Sequence, residues 1–323
     1  MEKLDLKDRK IIYHLTMNSR QSYSQLGKMV GLSKNIVKYR IDRLKERGII
    51  RNFFTVIDTF KLGCICARFH YVFQYVTPEA EKEIIDFFVK NKFTTIVVST
   101  QGAFDLSVIA CVQEMKDFYQ FYQETQNRYA NFFQSQQLSH YVNDMHFKPT
   151  YLMVEHHKKS DRLKSIRTAN VEKANIDETD MKILRLIAQN ARFSINEIAR
   201  ETNSTTWTIN QRYKNLIKNG LIRGFTANID ISKIGFQSCK IYIHLSEPRF
   251  RTSIVNYIKF NPFLVCVDET TGDADLELEF YLESISSVHD IMQDMSKHFP
   301  DIIRSYDFAT AVKFYKHLYL PYK

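Results

Sequence analysis

The sequence predicts an α+β fold in which two helix-turn-helix (winged-helix-like) domains alternate with two ferredoxin-like βαββαβ domains. Three observations lead to this prediction. The chain has 323 residues, more than one hydrophobic core usually supports. It contains an internal repeat. Within each copy of the repeat, the spacing of apolar residues changes from the helical period to the strand period.

The composition is that of a globular protein. Hydrophobic residues make up 44% of the chain and aromatic residues 13%, which is enough to build cores. The first ten residues are charged rather than apolar, and no run of about 18 apolar residues occurs. We therefore expect a cytoplasmic protein without a membrane span.

The cysteines and histidines do not suggest a metal or redox centre. The five cysteines lie in apolar, strand-like stretches with no histidine or cysteine at metal-ligand spacing along the chain. We expect buried, reduced thiols, although Cys64 and Cys66 could respond to oxidants. His156 and His157 lie in a charged segment and are expected to be solvated. The sequence thus predicts no metal site and no cofactor.

The internal repeat is clearest near the start of each copy. Residues 4–63 align without a gap to residues 176–235, with about 17 identities. Many of the identities are charged or turn-forming residues, including Asp5/Asp177, Asp8/Asp180, Asn18/Asn190, Arg20/Arg192, Ser22/Ser194, Arg40/Arg212, Gly48/Gly220 and Gly63/Gly235.

The repeat continues more weakly, since Gly102-Ala-Phe-Asp105 aligns with Gly272-Asp-Ala-Asp275. A polar, charged stretch that reads as an exposed connector separates the two copies. We call the segments the first head (residues 1–60), the first body (61–152), the charged linker (153–174), the second head (175–235) and the second body (236–323).

The net charge of +9 is unevenly distributed along the chain. The first head holds about 13 basic and 6 acidic residues, and the second about 9 and 6. The linker is also basic, whereas the bodies are close to neutral or acidic. This distribution is typical of heads that bind a polyanion such as nucleic acid.

Each head is predicted to contain three short helices. In the first head, Asp5 caps the first helix, Ser22 begins a capping box for the second, Ser33 can cap the third, and Gly48 ends it. The same roles fall in the second head on Asp177, Ser194, Asn203-Ser-Thr205 and Gly220. A short β-like run follows each head.

The third helix of each head has an apolar side and a polar, basic side. Three helices with a basic third one form the layout of a helix-turn-helix, whose third helix lies in the DNA major groove. The alternative is a three-helix bundle whose basic face is only solvated. The same arrangement in both copies of the repeat, which align without a gap, argues against this alternative. The expected DNA-binding residues are Ser33, Lys34, Asn35, Lys38, Tyr39, Arg40, Arg43, Thr206, Trp207, Thr208, Asn210, Gln211, Arg212 and Lys214.

Lysine and arginine at these positions would mainly contact phosphates, whereas the amides and hydroxyls could contact base edges. The two heads differ at these base-reading positions. We therefore expect them to prefer different half-sites. Trp207 either packs against its own head or contacts DNA.

Each body is predicted to follow the order βαββαβ. A β-rich stretch is followed by a helix that starts at a proline, two strands that flank a glycine, a second helix and a last strand. In the first body these are Cys64–Gln74, a helix to about Asn91, Thr95–Thr100, Leu106–Val112, Glu114–Tyr129 and Leu138–Phe147. The second body repeats the order.

The heads resemble the DNA-binding region of the Lrp and AsnC transcription regulators over about 60 residues each. In the first copy the resemblance lies in Leu4-Asp-Leu-Lys-Asp8, Gly31-Leu-Ser33 and Leu44-Lys-Glu-Arg-Gly48. In the second it lies in Asn190-Ala-Arg192 and Gly220-Leu-Ile222. The second copy lacks the Gly-Leu-Ser turn, which puts its DNA-reading geometry in doubt.

The resemblance also implies a role for the bodies, which in this family bind small effectors, often amino acids, and form oligomers. The effector turns it implies are Gly102, Ala103, Phe104 and Asp105, and Gly272, Asp273, Ala274 and Asp275. The alternative is that these residues only shape a hairpin. Because family dimers pair their bodies, the two bodies here are expected to pair within the chain as a pseudo-dimer or between chains as a homo-oligomer.

The favoured function is a DNA-binding transcription regulator modulated by a small effector, not an enzyme. Two alternatives stay open, an architectural DNA-binding protein without an effector and an enzyme similar to siroheme decarboxylases, which share this architecture. The Arg-rich, Phe-Gly-containing stretch of those enzymes is not evident, since the corresponding regions read Arg51-Asn-Phe-Phe and Arg223-Gly-Phe.

Overall fold

The computed structural model describes residues 4–156, 162–272 and 274–320. The first head contains three helices that begin at the predicted caps, because the side chains of Asp5, Ser22 and Ser33 each accept a hydrogen bond from a backbone amide of the first turn. A strand then leads to the body. These elements are α1 (Leu6–Met17), α2 (Tyr23–Val30), α3 (Lys34–Glu46) and β1 (Ile50–Ile57).

The first body has the predicted βαββαβ order. Its first helix starts at Pro78, with the Thr77 hydroxyl accepting from the amide of Ala80. The elements are β2 (Ile65–Phe73), α4 (Pro78–Lys90), β3 (Thr94–Gly102), β4 (Leu106–Val112), α5 (Met115–Tyr129) and β5 (Phe133–Phe147).

Part of the linker is built into the fold instead of forming the exposed connector that its composition predicts. A strand, β6 (Leu163–Thr168), pairs with the end of β5. Arg162 is 1% exposed, and its guanidinium donates to backbone carbonyls that include those of Lys148 and Leu264. The aliphatic stem and five donors of an arginine allow it to satisfy several buried carbonyls at once. His157 lies outside the described residues.

The second head repeats the first. Its elements are α6 (Glu178–Gln189), α7 (Ile195–Glu201), α8 (Thr206–Lys218) and β7 (Ile222–Ile229). The second body follows with β8 (Gln237–Leu245), α9 (Arg251–Ile258), β9 (Leu264–Thr271), β10 (Leu276–Leu282), α10 (Ser287–His298) and β11 (Ile303–His317).

The two bodies pair within the chain and close a β-barrel. Strand β3 of the first body pairs with β11 of the second, and β9 of the second pairs with β5 of the first. Together with the pairing of β2 with β5, these contacts join four strands from each body into one closed ring. Strand β6 pairs with β5 and lies outside this ring. Closure leaves the barrel strands without free edges.

Each body keeps its own apolar core between its sheet and its helices. Phe69, Phe88 and Phe121 are among the residues that fill the first core, and Phe280, Leu276 and Met295 are in the second. The opposite face of each sheet is turned toward the barrel interior, where many side chains are polar. Alternation along the strands therefore separates an apolar outer layer from a polar interior.

Two cysteines are not the reduced thiols that we expected. Cys66 on β2 and Cys111 on β4 lie directly opposite each other in the strand register and form a disulfide. They are 45 residues apart in the sequence, so only the strand pairing brings them together. Cys64, Cys239 and Cys266 are buried and take no part in this disulfide. In the described part of the chain, no helix has the length and apolar character needed to cross a membrane.

Candidate functional site

The outer face of α3 carries the predicted DNA-binding residues of the first head. Val37, Ile41 and Leu44 are buried and anchor the helix to α1 and α2. Lys34, Asn35, Lys38 and Tyr39 are exposed on the other side, and Tyr39 is 64% exposed. Ser33 caps the helix through its hydroxyl. The helix thus presents a polar, basic surface with an aromatic ring at its centre.

Arg40 and Arg43 have a structural role besides any contact with DNA. Arg40 forms ion pairs with Asp5 at 2.7 Å and with Asp8 at 2.8 Å, and Arg43 contacts Asp8 at 3.1 Å. The Asp8 side chain is 2% exposed. These arginines therefore tie α3 to the start of α1 and are less available to phosphates than Lys34, whereas Lys38 forms an exposed ion pair with Asp42 at 2.8 Å.

The second head reproduces this arrangement without the Gly-Leu-Ser turn. Asn203 adopts a positive φ of 50° where the first head has Gly31 at 67°. Asparagine tolerates this left-handed conformation better than most residues. Thr205 then caps α8, accepting from the amide of Thr208 as Ser33 does in α3. The turn geometry of the second head is therefore retained.

The surface of α8 differs chemically from that of α3. Thr206, Trp207, Gln211 and Lys214 are exposed, whereas Thr208 and Asn210 are partly buried. The Trp207 ring is 71% exposed, so it does not pack into its own head. Arg212 pairs with Asp177 at 2.7 Å and with Asp180 at 3.0 Å, the counterpart of the Arg40 pairs.

The two heads are interlocked. β1 pairs antiparallel with β7, and the first helix of each head packs on the strand of the other copy. Arg20 donates to the carbonyls of Ala191 at 2.7 Å and of Phe193 at 3.0 Å. Arg192 donates in turn to the carbonyl of Ser19 at 2.8 Å. These contacts hold the third helices of both heads in a fixed relation.

Sequence reasoning missed the role of Arg20 and Arg192. The signal was present, because this arginine is identical in both copies within Asn18-Ser-Arg20 and Asn190-Ala-Arg192. The repeat alone did not reveal that each arginine crosses to the other copy, because that contact depends on how the heads pair.

The turns expected to bind an effector lie inside the barrel assembly. The amide of Ala103 donates to the carbonyl of Phe308 at 3.0 Å, which ties the first turn to β11 of the second body. A Cβ on Gly102 would lie 2.5 Å from that carbonyl oxygen, so the close approach requires glycine. Gly272 has the equivalent contact with the carbonyl of Leu138 on β5.

The aspartates of these turns have partners within the chain. Asp105 accepts a hydrogen bond from the amide of Phe73 at 2.7 Å. Asp275 accepts from the amide of Leu245 at 2.8 Å and pairs with Arg251 at 2.6 Å. Phe104 and Ala274 are buried and lie in one small cluster at the meeting point of the turns. Asp273 lies outside the described residues. Effector binding at these turns stays a prediction.

A cavity of about 500 Å³ lies between the β1–β7 ribbon and the barrel. Its polar wall includes Arg51, Arg167, Lys164, Lys240 and Glu279. Lys164 is half-buried, and its desolvation lowers its pKa to about 8, while its ammonium donates to the carbonyl of Thr16 at 2.7 Å. The cavity is large enough for a small metabolite and has fixed charges of both signs.

A buried charge network joins the two bodies beside this cavity. Arg68 of the first body contacts Asp268 at 2.9 Å and also pairs with Glu277, both of the second body. Lys240 lies 2.5 Å from Asp268 and 3.6 Å from Glu277. Burial alone would raise the pKa of Asp268, but Lys240 and Arg68 outweigh it, so the pKa lies below its usual value.

Comparison with known proteins agrees with the geometry of the heads. Residues 4–45 match the family model of the AsnC-type helix-turn-helix domain. Residues 176–223 match that of the winged helix-turn-helix DNA-binding domain. The two matches fall on the two copies of the repeat.

Similar proteins include archaeal regulators. The HTH-type transcriptional regulator Ptr1 of Methanocaldococcus jannaschii is 34% identical over 113 residues, covering 35% of this chain and 76% of the regulator. An uncharacterized HTH-type transcriptional regulator of Pyrococcus furiosus is 33% identical over 101 residues, covering 31% of this chain and 68% of the regulator.

The overall fold is similar to that of the siroheme decarboxylase NirDL. The structures agree with a TM-score of 0.63 over 98% of this chain and 94% of the decarboxylase, with 12% sequence identity. The tandem arrangement of heads and bodies therefore also occurs in an enzyme, and this similarity concerns the fold.

Proposed function

This chain belongs to the Lrp/AsnC family of DNA-binding transcription regulators, and we propose that its two heads bind one DNA duplex at two unlike half-sites under the control of a small effector. In this proposal one chain does what two subunits of a symmetric dimer would do. The effector is a small molecule such as an amino acid.

The interlock of the heads carries the proposal. The β1–β7 ribbon and the reciprocal contacts of Arg20 and Arg192 fix α3 relative to α8. Dimeric helix-turn-helix proteins use two such helices, held at a fixed spacing, to bind successive half-sites of one duplex. The pseudo-symmetric heads of a single chain supply the same arrangement.

The different surfaces of the two helices support asymmetric recognition. α3 exposes Lys34, Asn35 and Tyr39, whereas α8 exposes Thr206, Trp207 and Gln211 at the equivalent positions. Lysine neutralises phosphates and asparagine or glutamine can make paired hydrogen bonds with adenine. The half-site beneath α3 is thus expected to differ in sequence from that beneath α8.

The placement of α3 on DNA is tested by removing Lys34 and Lys38. Each phosphate contact contributes about 0.9 to the slope of log affinity against log salt concentration. The double variant Lys34→Ala/Lys38→Ala should therefore bind more weakly, with a slope smaller by about 1 to 2. Fluorescence anisotropy at several salt concentrations measures both quantities.

A matched control is available on the first body. Lys82 and Lys90 lie on α4, are exposed, and give the same change in net charge when both are replaced by alanine. This control should leave the salt slope unchanged. If both double variants lowered the slope equally, the effect would come from net charge and α3 would not be placed on the phosphates.

The central cavity supports the effector part of the proposal. Its volume of about 500 Å³ and its mixture of cationic and anionic groups suit a zwitterion such as an amino acid. The aspartates of the predicted turns already accept hydrogen bonds from the chain, which favours the cavity. The turns at Gly102 and Gly272 are the other candidate location.

A thermal-stability screen with amino acids and related metabolites tests for an effector. A ligand at about 100 times its Kd should stabilise the chain by about 2.7 kcal/mol. Gly224 lines the cavity, and a Cβ there would meet no atom within 4 Å, so Gly224→Phe fills space without an immediate clash. Loss of the stabilisation in this variant would locate the effector in the cavity, and unchanged stabilisation would favour the turns.

An architectural DNA-binding protein is the alternative if no ligand changes the stability of the chain or its affinity for DNA.

We also propose that the chain is not a decarboxylase, although the similarity of fold to NirDL over 98% of the chain favours a direct test. Titration with an iron tetrapyrrole, followed by its visible absorption, supplies that test. Stoichiometric binding would support the enzymatic alternative.

A further inference from the structure

Three potential metal ligands meet where β5 lies beside β9 in the cavity wall. Asp144 and His146 are alternate residues of β5, so they share one face of the strand. In the register of the two strands His146 lies opposite Cys266, and Asp144 lies opposite Asp268. Directly opposed side chains have Cβ atoms about 5 Å apart, close enough to bind one ion together.

The donor atoms of Asp144, His146 and Cys266 all lie within 4.8 Å of one another. His146 Nε2 lies 2.9 Å from Asp144 Oδ1. This distance is that of an ion pair, both atoms are buried, and neither has a well-aligned hydrogen bond with any other described residue. A buried carboxylate oxygen and a buried imidazole nitrogen this close can bind one ion in place of the proton that they otherwise share.

The neighbouring residues orient these ligands. Arg167 pairs with the other oxygen of Asp144, Oδ2, which leaves Oδ1 toward His146. The Cys266 thiol donates to Asp268 Oδ1 at 3.2 Å, and Asp268 is itself held by Arg68 and Lys240. Metal ligands in proteins are commonly fixed by such outer contacts.

The charge of this wall permits a cation. The guanidinium groups of Arg68 and Arg167 and the Lys240 ammonium are each paired with a carboxylate. On binding, the metal forms bonds to nitrogen, oxygen and sulfur, and the thiol proton is released to solvent.

We propose that Asp144, His146 and Cys266 form a binding site for a divalent transition-metal ion of the zinc and cobalt type, with a fourth coordination position open to the cavity. Imidazole, thiolate and carboxylate are the usual ligands of zinc, and three protein ligands with one open position are typical of sites that exchange a water or a small ligand. Spacing along the sequence did not reveal the site because its ligands come from two strands of different bodies.

Cobalt(II) titration of the full chain tests this proposal directly, since a cobalt-thiolate bond gives near-ultraviolet charge-transfer absorption and a tetrahedral site gives visible ligand-field bands. The titration is made under argon without reductant, so that the Cys66–Cys111 disulfide stays closed and cannot supply sulfur ligands. We expect saturation at one equivalent with both absorptions, and displacement of cobalt by zinc.

Variants identify the ligands. Cys266→Ser should remove the charge-transfer absorption, and His146→Ala should weaken cobalt binding by more than about 10- to 100-fold, the loss that is typical when an outer contact of a ligand is removed. Cys239→Ala is the matched control, because Cys239 is also a free, buried thiol but lies outside the cluster, and it should leave the titration unchanged. Circular dichroism of each metal-free variant shows that it is folded.

The proposal is overturned if cobalt binds without charge-transfer absorption or if folded Cys266→Ser gives the spectrum of the unaltered chain. It is also overturned if the folded chain binds no cobalt at millimolar concentration. Because the titration contains no DNA, its result is independent of the function proposed for the heads.

Discussion

Replacing Arg68 with methionine should destabilise the barrel more than any surface charge change. Arg68 belongs to β2 of the first body, and its carboxylate partners Asp268 and Glu277 belong to β9 and β10 of the second. The side chains of the three residues are 6%, 3% and 2% exposed, so water does not replace the lost guanidinium. Methionine keeps much of the volume and removes the charge.

The magnitude follows from the partners that remain. Removing one member of a buried ion pair costs about 3–5 kcal/mol, because the other charge is left buried. Lys240 stays 2.5 Å from Asp268 and 3.6 Å from Glu277, so one cation then serves two carboxylates. We expect a loss of about 3 kcal/mol at neutral pH, the lower end of this range.

The pH dependence gives the prediction a second, independent part. In the unaltered chain the lowered pKa of Asp268 contributes stability that is present above the unfolded value of about 4 and is lost as the pH falls below it. Without Arg68, burial should raise the pKa of the Asp268 carboxyl. The ionised carboxylate then destabilises the folded state at neutral pH. The difference between variant and unaltered chain should therefore shrink as the pH falls from 7 toward 4.

Urea unfolding followed by circular dichroism at several pH values measures the effect. Arg249→Met is the control, because Arg249 is 76% exposed, pairs with the exposed Glu247 and lies over the Phe250 ring, so its loss should cost less than about 1 kcal/mol. Arg68→Met combined with Glu277→Gln should recover part of the loss. The reasoning is refuted if Arg68→Met costs no more than the control, or if the difference grows as the pH falls.

Four further substitutions test other parts of the account. Arg40→Ala should lower the free energy of unfolding in urea by about 1.5–3 kcal/mol, because it leaves the buried Asp8 without one of its partners. Arg212→Ala should lower it by less, because the acidic partners of Arg212 are more exposed. Equal losses in the two variants would contradict this reasoning. Trp207→Ala should change stability by less than about 0.5 kcal/mol yet weaken DNA binding severalfold in anisotropy titrations, whereas a large stability loss would place the ring in a core. Gly102→Ala should lower stability by about 1–3 kcal/mol, since its Cβ would lie 2.5 Å from a carbonyl oxygen of β11, and an unchanged urea midpoint would show that the contact relaxes.

Local sequence signals predicted the heads and the order of elements within each body. The helices of the heads begin at Asp5, Ser22, Ser33 and their counterparts, because a cap and its helix are neighbours in sequence. The one local doubt concerned Asn203, which adopts the left-handed conformation that glycine supplies in the first head. Each of these features depends on interactions between residues that are close together in the sequence.

Features that depend on pairing between strands far apart in the sequence were not predictable from local signals. The β1–β7 ribbon, the barrel closure at β3–β11 and β5–β9, and the Cys66–Cys111 disulfide all join residues far apart in sequence. The composition of the linker even predicted solvent exposure, because the charge of Arg162 does not reveal that backbone carbonyls surround it. The cluster of Asp144, His146 and Cys266 is hidden for the same reason.

The central claim is that one chain places two different heads on one duplex. The most direct measurement selects binding sites from random duplexes and then determines the mass of the complex on the selected DNA, with a footprint of each half-site. We expect one chain per duplex and two unlike half-sites centred about 10 base pairs, or a multiple of that distance, apart. A palindromic site occupied by two chains, each using one head, would contradict the claim.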